Sequence, residues 1–345
     1  MNNVTLSALV IAASVVDLHA ADNLQPLDAN PGTERTALIG VLHSFDGSMR
    51  AGTTNESVLL DAEARGAGRC IVITEPSFLV DGVFDLDRLA SHLDRVAPQD
   101  YDGYVMLDWE SDNILNRLTD DADTIEYTTA VSALTNAILE ARTLRPNAKW
   151  GYYSVPYVQY TFADASGDWI RWHEAPLHHR QHQMMLSTQA TELLEAVDYY
   201  APSIYDMWHS EDSPEIDTIG QQVFVREVVD HCVKHSRQIP VFPVVWHRVL
   251  STSWHEDRGI TLGNRNKLFG VPEWIEDQVA PALDVGADGI VWWGADLKMI
   301  NNGYHLLIPW VSDELPYSGM TPLDMILARW MHVDYAEAML RAVDP

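Results

Sequence analysis

Tyr104-Val105-Met106-Leu107-Asp108-Trp109-Glu110 is a short apolar run that ends in two acids separated by a tryptophan. It reads as a buried strand. Side chains alternate faces along a strand, so Asp108 and Glu110 point the same way, roughly 6–7 Å apart at about 3.3 Å of rise per residue. Six further runs of this kind surround it: Ala37–Leu42, Cys70–Thr74, Trp150–Ser154, Tyr199–Tyr205, Val241–Trp246 and Gly289–Trp293. Amphipathic helical patterns lie near 56–65, 86–96, 122–143, 187–196, 217–235 and 272–284. In the third of them Val131, Leu134, Ile138 and Leu139 recur at helical spacing. A last helix near 323–341 carries Met325, Ile326, Trp330 and Met339. Strands alternating with helices specify an α/β fold. No Gly-rich phosphate loop follows the first strand, which favours a (β/α) TIM-type barrel of about seven parallel strands over an open doubly wound sheet. The barrel reading treats residues 35–345 as a single catalytic domain with a C-terminal helix.

Composition narrows the function. The 345 residues include 50 acidic and 22 basic ones, for a net charge of -28. Nucleic acid is an unsuitable partner, because duplex binding is driven by neutralising phosphates with Lys and Arg. No apolar run approaches the ~20 residues of a membrane span. The only lysines are Lys149, Lys234, Lys267 and Lys298, and so acidic a surface tolerates high salt, which screens its self-repulsion. Cys70 and Cys232 alone build neither a disulfide framework nor a structural zinc site, and read as small buried hydrophobes. Twelve Trp and thirteen Tyr against seven Phe favour rings with polar tips, which suit wet clefts and sugar faces. Residues 8–16 resemble the apolar core of a signal peptide, with small residues at Ala20 and Ala21, although the first basic residue is Arg35. Residues 1–34 are thus read as a signal peptide and linker, which predicts a secreted or periplasmic protein. An ordinary N-terminal helix in a cytoplasmic protein is the alternative.

A barrel carries its chemistry at the C-terminal ends of its strands. Two same-face carboxylates there suggest cleavage of a glycosidic bond. Neighbouring carboxylates resist double ionisation and burial resists it further, so one stays protonated as the acid near neutrality. Because both sit at one strand end, they leave no room for a separate nucleophile opposite the acid. A substrate-assisted route fits better. In it Glu110 protonates the leaving oxygen, the sugar's 2-acetamido oxygen attacks the anomeric carbon, and Asp108 orients that acetamido group. Tyr153, Tyr205, Trp208 and Trp293 end other strands and read as phenol donors and sugar platforms. Alternation turns either Trp292 or Trp293 inward, and the other outward.

These segments together resemble the hyaluronidase family of glycoside hydrolases, in matching order from roughly residue 36 to 300. The resemblance rests on Leu107-Asp108-Trp109-Glu110, on Trp150-Gly151-Tyr152-Tyr153 with Pro156 and Tyr157, on Pro202-Ser203-Ile204-Tyr205 with Trp208, and on Gly286 to Gly294. Gly82-Val83 with Leu86, Leu89, His92 and Leu93 is similar to the helix before the catalytic strand. The resemblance implies a distorted seven-stranded barrel, with Glu110 as proton donor and Asp108 as the carboxylate that orients the acetamido group. It implies Tyr153 and Tyr205 as active-site tyrosines, Trp293 as the ring beneath the sugar, and no metal or organic cofactor. Thr74 and Glu75 stand where the family carries a tyrosine and an aspartate, Ser111-Asp112-Asn113 where a basic residue follows the acid, and Val158 where a disulfide cysteine sits.

The expected activity is therefore that of a hyaluronidase-like endo-β-N-acetylhexosaminidase, with a polysaccharide such as hyaluronan or chondroitin as its partner. Such polyanions need a local basic patch on so acidic a chain. Arg171, His173, His178, His179, Arg180 and His182, read as a loop after the fourth strand, supply one together with His247 and Arg248. Metal binding by His178, His179 and His182 is a rival reading of the same stretch. Two alternatives to the main activity remain open: the same mechanism on a neutral glycan of chitin or peptidoglycan type, and a catalytically silent glycan-binding barrel.

Overall fold

Every main strand of this chain is apolar on both faces, which is what a parallel sheet covered by helices requires. The computed structural model describes residues 35–43, 49–50, 60, 62–158, 162–163, 169–206, 214–236, 238–247, 269–293 and 334–344. Six strands form one parallel sheet: β1 (Thr36–His43), β2 (Gly68–Thr74), β3 (Tyr104–Asp108), β4 (Lys149–Tyr152), β5 (Val244–Val245) and β6 (Gly289–Trp292). Their order across the sheet is β5-β6-β1-β2-β3-β4. Residues 199–204 bridge the two edges of this curled sheet. Ser154 donates its N–H to Ala201 on the β4 side, while Phe242 donates to Tyr200 and Ile204 to Val244 on the β5 side. The fold is thus the distorted barrel read from the sequence.

Two of the seven expected strands are shorter than the sequence suggests, for a common reason. Pro202, Pro240 and Pro243 lack the N–H that a ladder needs. Their carbonyls still accept, from Val244, Tyr200 and Val291 respectively. What remains on 199–204 is isolated bridges, Ala201 to Val155 on one side and Tyr200 to Val241 and Ser203 to Val244 on the other.

Alternation sorts the side chains into two cores. Inside the barrel lie Leu38, Cys70, Val72, Met106, Tyr199, Phe242, Val244 and Val291. Outside, under the helices, lie Ile39, Val41, Ile71, Ile73, Val105, Leu107, Ile290 and Trp292. The longer helices among the described residues are α1 (Leu86–Val96), α2 (Ile125–Leu144), α3 (Leu177–Ser187), α4 (Thr191–Ala196), α5 (Pro214–His235), α6 over 271–284, and α7 over 334–343. Asp85 caps α1 by accepting from Arg88 N at 2.7 Å, and Thr124 caps α2 through Tyr127 N. In α2, Val131, Leu134 and Ile138 are buried as their spacing predicts, but Leu139 lies at the rim of the apolar stripe and is exposed. The stretch read as a His/Arg loop is instead largely the helix α3. Met339 is buried in α7; Met325, Ile326 and Trp330 lie outside the described residues, as do residues 1–34. No helix among the described residues is long and apolar enough to cross a membrane.

Candidate active site

β2 and β3 run in register, with Thr74 opposite Asp108. Met106 points into the barrel, so Asp108, two residues on, closes the same face at the mouth. It is half-buried, with Oδ1 cut off from solvent. Trp109 turns the other way and packs edge-on against Phe78, with ring centroids 5.8 Å apart, which anchors the strand end. The strand stops at Asp108, and Glu110 (φ -119°, ψ -15°) begins a tight turn. Asp112 and Asn113 follow with φ of 55° and 53°, a left-handed conformation that these two residue types tolerate best among those with side chains. Beyond them Ile114 and Leu115 are buried and pin the far side of the turn.

Two groups hold this turn from outside the strand. Glu75, the residue after Thr74, accepts the backbone N–H of Glu110 at 2.6 Å through Oε1, and the same oxygen accepts the N–H of Ser111. On the other side Tyr157 donates its hydroxyl to Asn116 in the short helix Ile114–Arg117. As a whole residue Glu110 is exposed, yet protein crowds its carboxyl. Desolvation pushes the Glu110 pKa above the usual carboxylate range, and the neighbouring Glu75 charge pushes it further. Tyr157 is raised to about 12 by burial and by the charge of Glu110.

The tyrosines expected at the site come together. Tyr153 follows β4, donates its N–H to Leu107 O at 3.0 Å and so stands beside Asp108. Its hydroxyl donates to Ser203 Oγ at 3.1 Å, and its ring lies 5.9 Å from that of Tyr205. Tyr205 in turn lies 5.8 Å from Trp246. Trp293 joins the same inner cluster, and its ring lies so close over Gly40 that a Cβ there would meet Cε3 at 2.7 Å. Alternation thus resolves the tryptophan pair: Trp293 faces inward and Trp292 outward.

The expected basic patch fares differently. His247 follows the inward Trp246 and therefore points outward. It is fully buried, accepts from Trp292 Nε1 at 3.0 Å through Nδ1, and lies 4.6 Å from the Tyr335 ring. Its place is the outer core and not a sugar cleft, which corrects its reading as a substrate-binding residue. Arg171 pairs with Glu174 at 3.1 Å, and Arg180 pairs with Glu227 at 2.6 Å. Glu227 also accepts from Trp172 Nε1 at 2.7 Å. The Trp172 and Arg180 bonds fasten the 171–187 segment to α5, while the Arg171 pair stays within its own turn. Trp208 and Arg248 lie outside the described residues. Among the described residues no group of three or more His, Cys, Asp or Glu side chains is arranged to hold a metal, His178, His179 and His182 included.

Glu75, Tyr157, Ser203 and Trp246 were not singled out as site residues by sequence reasoning. Register could have found Glu75, since in a parallel pair the residue after Thr74 must meet the chain after Asp108. Alternation could have found Trp246, two residues beyond the inward Val244.

The fold is that of the hyaluronidase-like glycoside hydrolases: the chain superposes on a crystal structure of bee venom hyaluronidase with a TM-score of 0.55, covering 89% of this chain and all of that one at 15% identity. A structure of the bee venom enzyme in complex with a hyaluronic acid tetramer gives a TM-score of 0.49 at 17% identity, over 76% of this chain and 92% of that one. In sequence, the chain is 25% identical over 155 residues to the hyaluronidase of Apis mellifera, a stretch that spans 45% of this chain and about a third (35%) of that protein. No family model matches. The chain is a distant homologue of the hyaluronidases.

Proposed function

We propose that this protein is a glycoside hydrolase that cleaves a glycosaminoglycan such as hyaluronan or chondroitin at an N-acetylhexosamine, with the substrate's own acetamido group as nucleophile. The observation that carries this reading is that Glu110, a carboxyl with a raised pKa, follows two residues after the half-buried Asp108, which ends its strand beside Tyr153 and its neighbour Tyr205. The acid and its helper have the separate environments that such chemistry needs. Glu110 donates its proton to the glycosidic oxygen as the C–O bond breaks, and the acetamido oxygen closes on the anomeric carbon. Asp108 accepts from the acetamido N–H and offsets the positive charge that builds on the ring so formed. Water then opens that ring, Glu110 takes back a proton, and the anomeric configuration is retained. Tyr153 and Tyr205 hydrogen-bond the sugar at the cleavage point, and Trp293 offers its ring to the sugar face.

Because Glu110 must be protonated to act, activity holds below its raised pKa and falls as pH rises through it. The test is reducing-end release from hyaluronan, chondroitin and chitin oligomers, each compared with its de-N-acetylated form. Cleavage confined to the acetylated chains supports the reading, and brisk cleavage of a chain with no acetamido group overturns it. The net charge of -28 favours a second reading, in which the same chemistry acts on a neutral N-acetylated glycan. Faster release from chitin oligomers than from hyaluronan, at low and high salt alike, would select it.

A further inference from the structure

The loop that carries Glu110 leaves its strand at Asp108 and has no ladder to hold it. Its two leading N–H groups, of Glu110 and Ser111, converge on a single oxygen, Oε1 of Glu75. Glu75 is itself fixed from three directions. Thr74 is locked opposite Asp108 in the ladder, Pro76 sits in the first turn of the 3-10 segment Glu75–Ser77, and Arg88 of α1 donates its Nε–H to Pro76 O at 2.6 Å. A carboxylate bound to two amides is a strong, charge-assisted clamp.

We propose that Glu75 is a positioning residue for the reaction assigned above: it sets the height and direction of Glu110 at the mouth and keeps a fixed negative charge behind the acid. The inference rests on that assignment. Around Glu110 the charged and titratable groups are Glu75 from the β2 end, Asp108 from its own strand, Asp112 from its own turn and Tyr157 from beyond β4. Desolvation is the first cause of the raised Glu110 pKa and Glu75 the second. The amide bonds and the charge are separable. Glutamine keeps an oxygen that accepts both N–H groups but removes the charge, aspartate keeps the charge but not the reach, and alanine removes both.

The experiment compares Glu75→Gln, Glu75→Asp and Glu75→Ala on hyaluronan and chitin oligomers, with circular dichroism to verify the fold. A purely structural residue would leave the pH profile in place. Here Glu75→Gln is expected to move the alkaline limb of kcat/KM down by about one pH unit. Glu75→Asp is expected to lower kcat without that movement. Glu75→Ala is expected to lower kcat roughly 100-fold with KM within about twofold, as a displaced catalytic group does. Carbon-13 titration of the Glu110 carboxyl gives a readout that needs no turnover. A midpoint that drops in Glu75→Gln supports the inference, and a midpoint unchanged from the wild type overturns it. Absence of turnover in the wild type would bear on the glycosidase assignment alone, since the titration is read either way.

Discussion

Two charged regions of this molecule look equally functional in sequence: the acidic end of β3 and the basic stretch from Arg171 to His182. In the structure they part company. At the β3 end the charges are alike, Glu110 beside Glu75 with Asp108 two residues away, and desolvation first, then the Glu75 charge, raises the Glu110 pKa. In the basic stretch each arginine has found a carboxylate, Arg171 with Glu174 and Arg180 with Glu227. A charge that is already paired at 2.6 Å has little left to offer a ligand. Like charges held together against their repulsion need some other force to keep them there, which makes the β3 end the place to test for function.

The hardest test of this contrast is at the acid. Glu110→Gln keeps the shape and removes the transferable proton, and reducing-end release is expected to fall roughly 100- to 10,000-fold with the thermal melt unchanged. Full activity in that variant would remove the β3 end from the reaction. Asp108→Asn is the next largest effect. It keeps a hydrogen-bond acceptor for the acetamido N–H but loses the charge that offsets the developing cation, so kcat is expected to fall roughly 100- to 1,000-fold while KM changes little. A matched loss in KM instead would make Asp108 a binding group.

What could be read without coordinates follows from how each region is built. Asp108, Tyr153, Tyr205 and Trp293 are set by strand alternation, a period of two that the sequence shows directly. The barrel itself was legible for the same reason, as seven apolar runs with helical patterns between them. His247 was misread because its neighbour Trp246 takes the inward place and leaves it outside. The ion pairs of the arginines were not legible because Arg180 is 47 residues from Glu227, and the two meet only in the folded chain. Prolines hid the true lengths of two strands, since a ladder fails at each one.

The basic stretch makes its own prediction, in stability and not in turnover. Arg180→Met removes a pair at 2.6 Å whose side chains are mostly covered, 14% and 23% exposed, and leaves Trp172 as the partner of Glu227 among the described residues. Burial already holds the Glu227 pKa above the usual range despite that arginine. The expected cost is about 2 kcal/mol in denaturant unfolding, with kcat/KM on the cleaved oligomer within about twofold of the wild type. A large rise in KM with stability intact would return Arg180 to the substrate.

The smallest effect sits on the same helix pair and runs through pH. His231 on α5 bonds Thr188 at 3.2 Å, and its ring lies 4.1 Å from that of His235. Burial, then the neighbouring His235, lowers its pKa to about 4, against an ordinary 6.5. The folded protein therefore holds His231 neutral over a range where the unfolded chain binds a proton. Stability from this group is complete above pH 6.5 and is lost as pH falls from there towards 4. The raised carboxyl of Glu227 acts with the opposite sign, so the difference between variant and wild type is the quantity to measure. His231→Gln is expected to soften the fall in melting temperature between pH 6.5 and 4.5 while leaving the alkaline limb of activity in place. A melting profile parallel to the wild type's would mean that His231 takes up its proton in the folded state as readily as in the unfolded one. A shifted alkaline limb would mean that the two charged regions are coupled.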